Sequence, residues 1–326
     1  LSNISAESSN GSIENTGAGN VNFQSSRLVL NAQSIGAVNA VQTNTGLLAA
    51  QSSVGRISII DRGFADTIGN LTTSKGGQAV SGINSSTDVS LVAENVRLDS
   101  SVRALTNVAI SAGSHLAMIP GGNIVAGDTV SLEAGGDIYK TDVAVASISP
   151  NLVIDAGGRL VRLAVPLVVN STNIAAQSRT DSLNLRNQGS TVVTNLTTLK
   201  GGNTVSGVNA SANVVLDTAG NTSLLSNVTA GGTAQVTSTG NLSFVTGAVQ
   251  AGSLANVTGA DVIGSASSSL DIAAPQIVLS GNRVGSQATP IDTATQNLVG
   301  QASVGDFVVR NSATVLNVSG LSGVNG

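Results

Sequence analysis

The chain has 326 residues, of which 41% are hydrophobic, 10% charged and 2% aromatic, with no cysteine and a formal net charge of −4. This balance excludes disulfides and thiolate metal sites, and it is too apolar and too weakly charged for a disordered chain, which combines low hydrophobicity with high net charge. The longest apolar run, Leu163–Val169, falls far short of the roughly 20 residues that a membrane-crossing helix needs, so no transmembrane segment is expected.

Taken from its first residue, the chain reads as a tandem array. Residues 1–24 are expected to be the end of a preceding repeat unit, because Ile13 aligns with Ile138 and Ile263 at 138 − 13 = 125 and 263 − 13 = 250. Repeat unit one then covers 25–148, unit two 149–273 and a partial unit three 274–326, all expected to form one continuous solenoid. The clearest duplication is NLTTSKGGQAVSGIN at Asn70–Asn84, which returns as NLTTLKGGNTVSGVN at Asn195–Asn209. Eleven of fifteen positions are identical, at an offset of 195 − 70 = 125. Self-similarity at a fixed period governs the fold and has to be read before local propensity.

A shorter rhythm runs inside each unit. Val89, Val108, Val130 and Leu152 open the segments VSLVAEN, VAISAGS, VSLEAGG and LVIDAGG, at spacings of 108 − 89 = 19, 130 − 108 = 22 and 152 − 130 = 22. Val214, Ala234 and Ala255 continue it at 234 − 214 = 20 and 255 − 234 = 21. In VSLEA, Val130, Leu132 and Ala134 alternate with Ser131 and Glu133, the period-two signature of a strand. Glycine pairs such as Gly135-Gly136, Gly157-Gly158 and Gly231-Gly232 are expected to supply left-handed or tight backbone at the corners. The load of Gly, Ser, Thr, Asn and β-branched residues disfavours helix.

Strands recurring this often are too close for propeller blades, which need about 40 residues each. They suit coils that return each strand over its predecessor. The predicted fold is therefore all-β: a right-handed parallel β-helix (solenoid) of about 21-residue coils arranged in about 125-residue super-repeats. A single coil buries too little apolar surface to offset the entropy of ordering it, so stability accumulates by stacking.

The pattern Val/Leu-x-Leu/Ile-x-Ala-Gly, seen at Val130–Gly135 and varied at Val108–Gly113, Leu152–Gly157 and Val214–Gly220, resembles the repeat of filamentous-haemagglutinin-like exoproteins, the large bacterial adhesins exported by two-partner secretion. The resemblance implies a β-helical shaft, a secreted or cell-surface location as a fragment of a longer exported protein, and a role in attachment, biofilm or cell contact. No functional residue carries over with it. No basic leader with an apolar stretch opens the chain, and an export signal is expected upstream.

Chemistry-bearing residues are sparse. The single His115 has Asn241 as its counterpart in the next unit and reads as a polar turn residue. Asp128, Glu133 and Asp137 align with Ser253, Thr258 and Val262, so these carboxylates, and Asp142 with them, form no repeated acid–base pair of the kind a glycosidase needs. They read as solvent-facing groups that keep the protein soluble. Gly135-Gly136-Asp137 and Gly121-Gly122-Asn123 are only fragments of a calcium-binding nonapeptide, and neither a metal nor a cofactor is assigned. With 14 basic residues and few aromatics, the phosphate contacts and stacking platforms of nucleic-acid binding are missing.

Lys75 and Lys200 occupy the same place in two units. Their TTxKGGxxVSG block breaks the short rhythm and is expected to form a loop projecting once per unit, either a surface contact for a ligand or neighbour or simply the closure of a longer coil. The expected function is thus a non-enzymatic structural shaft of an adhesin. Its expected partners are host or bacterial surface glycans or receptors, with end-to-end or lateral self-association. The alternatives are a self-assembling extracellular fibre subunit and a β-helical polysaccharide-processing enzyme or tailspike.

Overall fold

The computed structural model describes residues 3–17, 20–63, 66–160, 165–267 and 269–319. The first residues of the apolar run Leu163–Val169, at 163 and 164, lie outside that set, as does the end of the partial unit 274–326. The described residues form 42 strands and no helix. Among the described residues the strand pairings are parallel except those within two short hairpins.

The chain divides into two compact units, one of residues 1–167 with 198–203 and one of 168–197 with 204–326. In the first unit the predicted rhythm is the observed stacking. Val89 pairs with Val108, Val108 with Val130 and Val130 with Leu152, while Leu91, Ile110, Leu132 and Ile154 form the neighbouring column. In the second unit Val214, Ala234 and Ala255 stack on one another, followed by Ile277 and Leu298. The fold is a parallel β-solenoid with turns of about 22 residues.

The regular turns carry three strands rather than the single strand that the rhythm disclosed. Thr129–Ala134, Ile138–Lys140 and Ser147–Ile148 make one turn of the first unit, on three faces. Val96, Leu116 and Ile138 form the column of the second face, Val102 and Ile124 that of the third. All are buried. Columns of like aliphatics about 4.8 Å apart fill the core without large side chains, because parallel stacking places each residue against its own kind.

The corner glycines bear out the tight alternative of the expectation and not the left-handed one: all three pairs form bends. Gly135, Gly157 and Gly231 are absent from the left-handed positions, which among the described residues are Gly36, Gly77, Gly82, Gly121, Gly202, Gly207 and Gly285. A Cβ on Gly135 would strike the carbonyl of Gly113, and one on Gly157 that of Gly135. The glycines permit close approach between successive turns.

Candidate functional site

The duplicated block forms an antiparallel hairpin in each copy. In the first, Asn70–Thr72 pairs with Ala79–Ser81. Thr73 closes the turn: its N–H donates to the Gln78 carbonyl at 2.9 Å, its carbonyl accepts from Gly77 N at 3.2 Å and its Oγ1 accepts from Gln78 N at 3.0 Å. In the second, Asn195–Thr197 pairs with Thr204–Ser206, and Thr198, Gly202 and Asn203 repeat the same three bonds at 2.9, 3.2 and 3.0 Å. Gly77 and Gly202 have φ of +62° and +67°, which accounts for the second glycine of each KGG.

These hairpins lengthen a turn. Ile57 pairs with Val89 across 89 − 57 = 32 residues and Leu183 with Val214 across 214 − 183 = 31, against 22 between Val108 and Val130. The expected projecting loop is instead a strap folded back onto the coils. Val80 and Leu71 of the first hairpin pack on Val29 and Ala49, which face outward from the coil yet are buried beneath it.

The turn backbone is fastened to side chains of earlier coils. Ser74 N donates to Ser5 Oγ at 3.0 Å, Lys75 N to Glu7 Oε1 at 3.2 Å, and Asn31 Nδ2 to Gln78 Oε1 at 2.8 Å. The second tip, Thr198–Asn203, belongs to the first unit and is held the same way. Leu199 N donates to Ser131 Oγ at 3.0 Å, Lys200 N and Gly201 N to Glu133 Oε1 at 3.3 and 2.9 Å, and Asn203 Nδ2 to Asp155 Oδ2 at 3.4 Å. The Lys75 N–H and the Ser5 hydroxyl hold the Glu7 carboxyl below its usual range. Both lysines are exposed, and neither ammonium has an ion pair among the described residues. Beside the first hairpin lies an open cavity of about 340 Å³ whose lining includes Arg27, Asn3, Asn70, Thr72 and Ser74.

The other sequence candidates do not converge; His115, Asp128 and Asp137 are engaged between coils and Asp142 within one. His115 Nδ1 accepts from Asp137 N at 2.9 Å, and Asp137 Oδ1 accepts from Arg159 N at 2.9 Å. Asp128 Oδ1 accepts from Asn151 Nδ2 at 2.8 Å. Asp142 pairs at 3.2 Å with Lys140, a buried lysine whose Nζ also donates to the Gly122 carbonyl at 2.7 Å. Glu133, expected to face solvent, is a hairpin anchor. Among the described residues no three His, Asp or Glu side chains gather to hold a metal ion.

Two acids escape any reading of residue spacing. Asp66 lies in the inward column ahead of Val96 and Leu116, 1% exposed, and among the described residues no N–H or hydroxyl donates to either of its carboxyl oxygens. Asp61, 4% exposed, accompanies it. Register alignment with the aliphatic column is the signal that would have exposed Asp66. No family model matches this chain, and neither a curated protein nor a solved structure is found similar to it.

Proposed function

We propose that the chain is a structural segment of an exported bacterial adhesin, a stem whose work is mechanical and which serves attachment, biofilm or contact between cells at the cell surface or outside it. The observation that supports this reading is the in-register aliphatic stacking on three faces of a turn, with acids spent on bonds between coils. Such a body resists pulling and proteolysis because each coil is clamped by both neighbours. The repeat resemblance points to the same role.

The tips of the two hairpins are the proposed points of contact with anionic surface glycans or with a neighbouring copy, since each presents one exposed ammonium, without an ion pair among the described residues, on a fixed backbone. The test is fractionation of the producing bacterium with an antibody to this chain, together with attachment of chain-coated beads. The reading expects the antigen on the surface or in the medium, and weaker attachment at low salt by a Lys75→Ala/Lys200→Ala variant. Antigen confined to the cytosol would overturn the adhesin assignment. Unchanged attachment by the variant would remove the lysines from it.

A further inference from the structure

The corner that ends the strand Ile57–Asp61 occurs three times in the chain, with a different residue in the same role. Asp61 corresponds to Asn187 and Asn311, at 187 − 61 = 126 and 311 − 187 = 124. In each, the side-chain oxygen accepts from a backbone N–H of the coil beneath: Thr45 N to Asp61 Oδ2 at 3.2 Å, Ser171 N to Asn187 Oδ1 at 2.9 Å, and Thr295 N to Asn311 Oδ1 at 3.0 Å. Thr43 and Thr293 add hydroxyl bonds at 3.1 and 3.0 Å.

The asparagine corners differ in their second half, because an amide also donates. Asn187 Nδ2 reaches Ser171 O at 2.9 Å and Thr191 Oγ1 at 2.8 Å, and Asn311 Nδ2 reaches Thr295 O at 3.1 Å. An ionised Asp61 has no such donor. Asp66 stands at the Thr191 position, 191 − 66 = 125, where the neutral corner places the acceptor of that bond. Its two oxygens are buried and receive no N–H or hydroxyl donor among the described residues, an arrangement that costs heavily if the group is charged.

We propose that Asp61 and Asp66 share a single proton between their carboxyls, which takes the place of the Asn187 amide donor and fastens this corner until rising pH removes it. Burial, first, and then the charge and side chain of Asp61 hold the Asp66 carboxyl well above the usual carboxylate range. Burial raises Asp61 as well, against the lowering effect of Gly63 N, Thr45 N and Thr43 Oγ1. The remaining titratable groups on the elements around the corner stand at exposed or half-buried positions: Arg62, whose Nε donates to Gln42 Oε1 at 2.7 Å, Glu94, Arg97 paired with Asp99, and His115. A proton bound more tightly by the folded than by the unfolded chain gives stability that is complete below the ordinary aspartate value. That stability is lost as pH rises through the folded value. Loss of the proton leaves two carboxylates in a water-free corner, and their repulsion drives apart the ends of Ile57–Asp61 and Asp66–Ile68.

The test compares the wild-type chain with Asp61→Asn/Asp66→Thr, which copies the neutral corner of the second unit. Thermal unfolding is followed from about pH 5 to about pH 8. The wild-type midpoint should fall by several degrees relative to the variant over that range, and the two should converge at the acid end. Infrared spectra of the wild type near neutral pH should contain a protonated-carboxyl band absent from the variant. That band remains decisive should the variant fail to fold. Parallel pH profiles, or no protonated carboxyl in the wild type, would overturn the proposal. So would a rise in the wild-type midpoint on adding calcium, reversed by chelator and missing in the variant, which would assign the pair to a cation.

Discussion

Ile110 is fully buried, with Leu91 on one side and Leu132 on the other in the same column. Ile110→Ala removes three carbons from that column. At about 0.8 kcal/mol each the transfer loss is about 2.4 kcal/mol, and a cavity that both neighbours keep open adds about 1 kcal/mol. A local loss near 3.4 kcal/mol lowers amide protection about 300-fold wherever exchange proceeds by opening of that part of the stack. Hydrogen exchange read by mass spectrometry should show the fall in Val89–Ala93, Asn107–Ala112 and Thr129–Ala134, fading over the next turns, because repeat stability is a sum of nearest-neighbour terms. An equal loss of protection in strands as distant as Val214–Thr218 and Thr233–Ser238 would show global cooperativity and refute the reasoning.

Gly82 and Gly207 have φ of +67° and +73°, and a Cβ on either would press on the carbonyl of Ser101 or Asn227. Gly82→Ala should therefore cost about 3 kcal/mol or more, combining left-handed strain with a steric clash. Gly77→Ala, at φ +62° with open space around it, should cost about 1 kcal/mol; denaturant unfolding that ranks the two equally would contradict the close-approach argument. Glu7→Ala should release the first hairpin and raise tryptic cleavage after Lys75 severalfold. Because hydrogen bonds depress the Glu7 carboxyl, its stabilising contribution is present above the ordinary glutamate value and lost on acidification below about pH 4. Exchange of the Lys75 and Gly76 amides, compared between wild type and variant, should report that loss.

The stacking register was legible because Val89, Val108, Val130 and Leu152 open strands long enough to carry an alternation. The second and third faces were not. Val96–Leu98, Leu116–Met118 and Ile138–Lys140 are three residues each, too short for a period of two to rise above chance. The block around Lys75 was legible only as a break in the short rhythm. The surface the hairpin lies on could not be read, since Glu7 and Lys75 are 68 residues apart. Asp61 and Asp66 were invisible for a further reason: the copies replace them by Asn187 and Thr191, so the position varies while its hydrogen-bonding duty stays fixed.

The anchoring of each hairpin also imposes an order of events. Glu7 and Glu133 are made 68 and 67 residues before the lysines whose amides they hold, so neither buckle can close until the intervening turns have been wound. A growing chain therefore gains a fastening at intervals, each sealing the windings beneath it. Slippage of a newly formed turn by one register would carry the acceptor away from its amide and leave the strap unfastened.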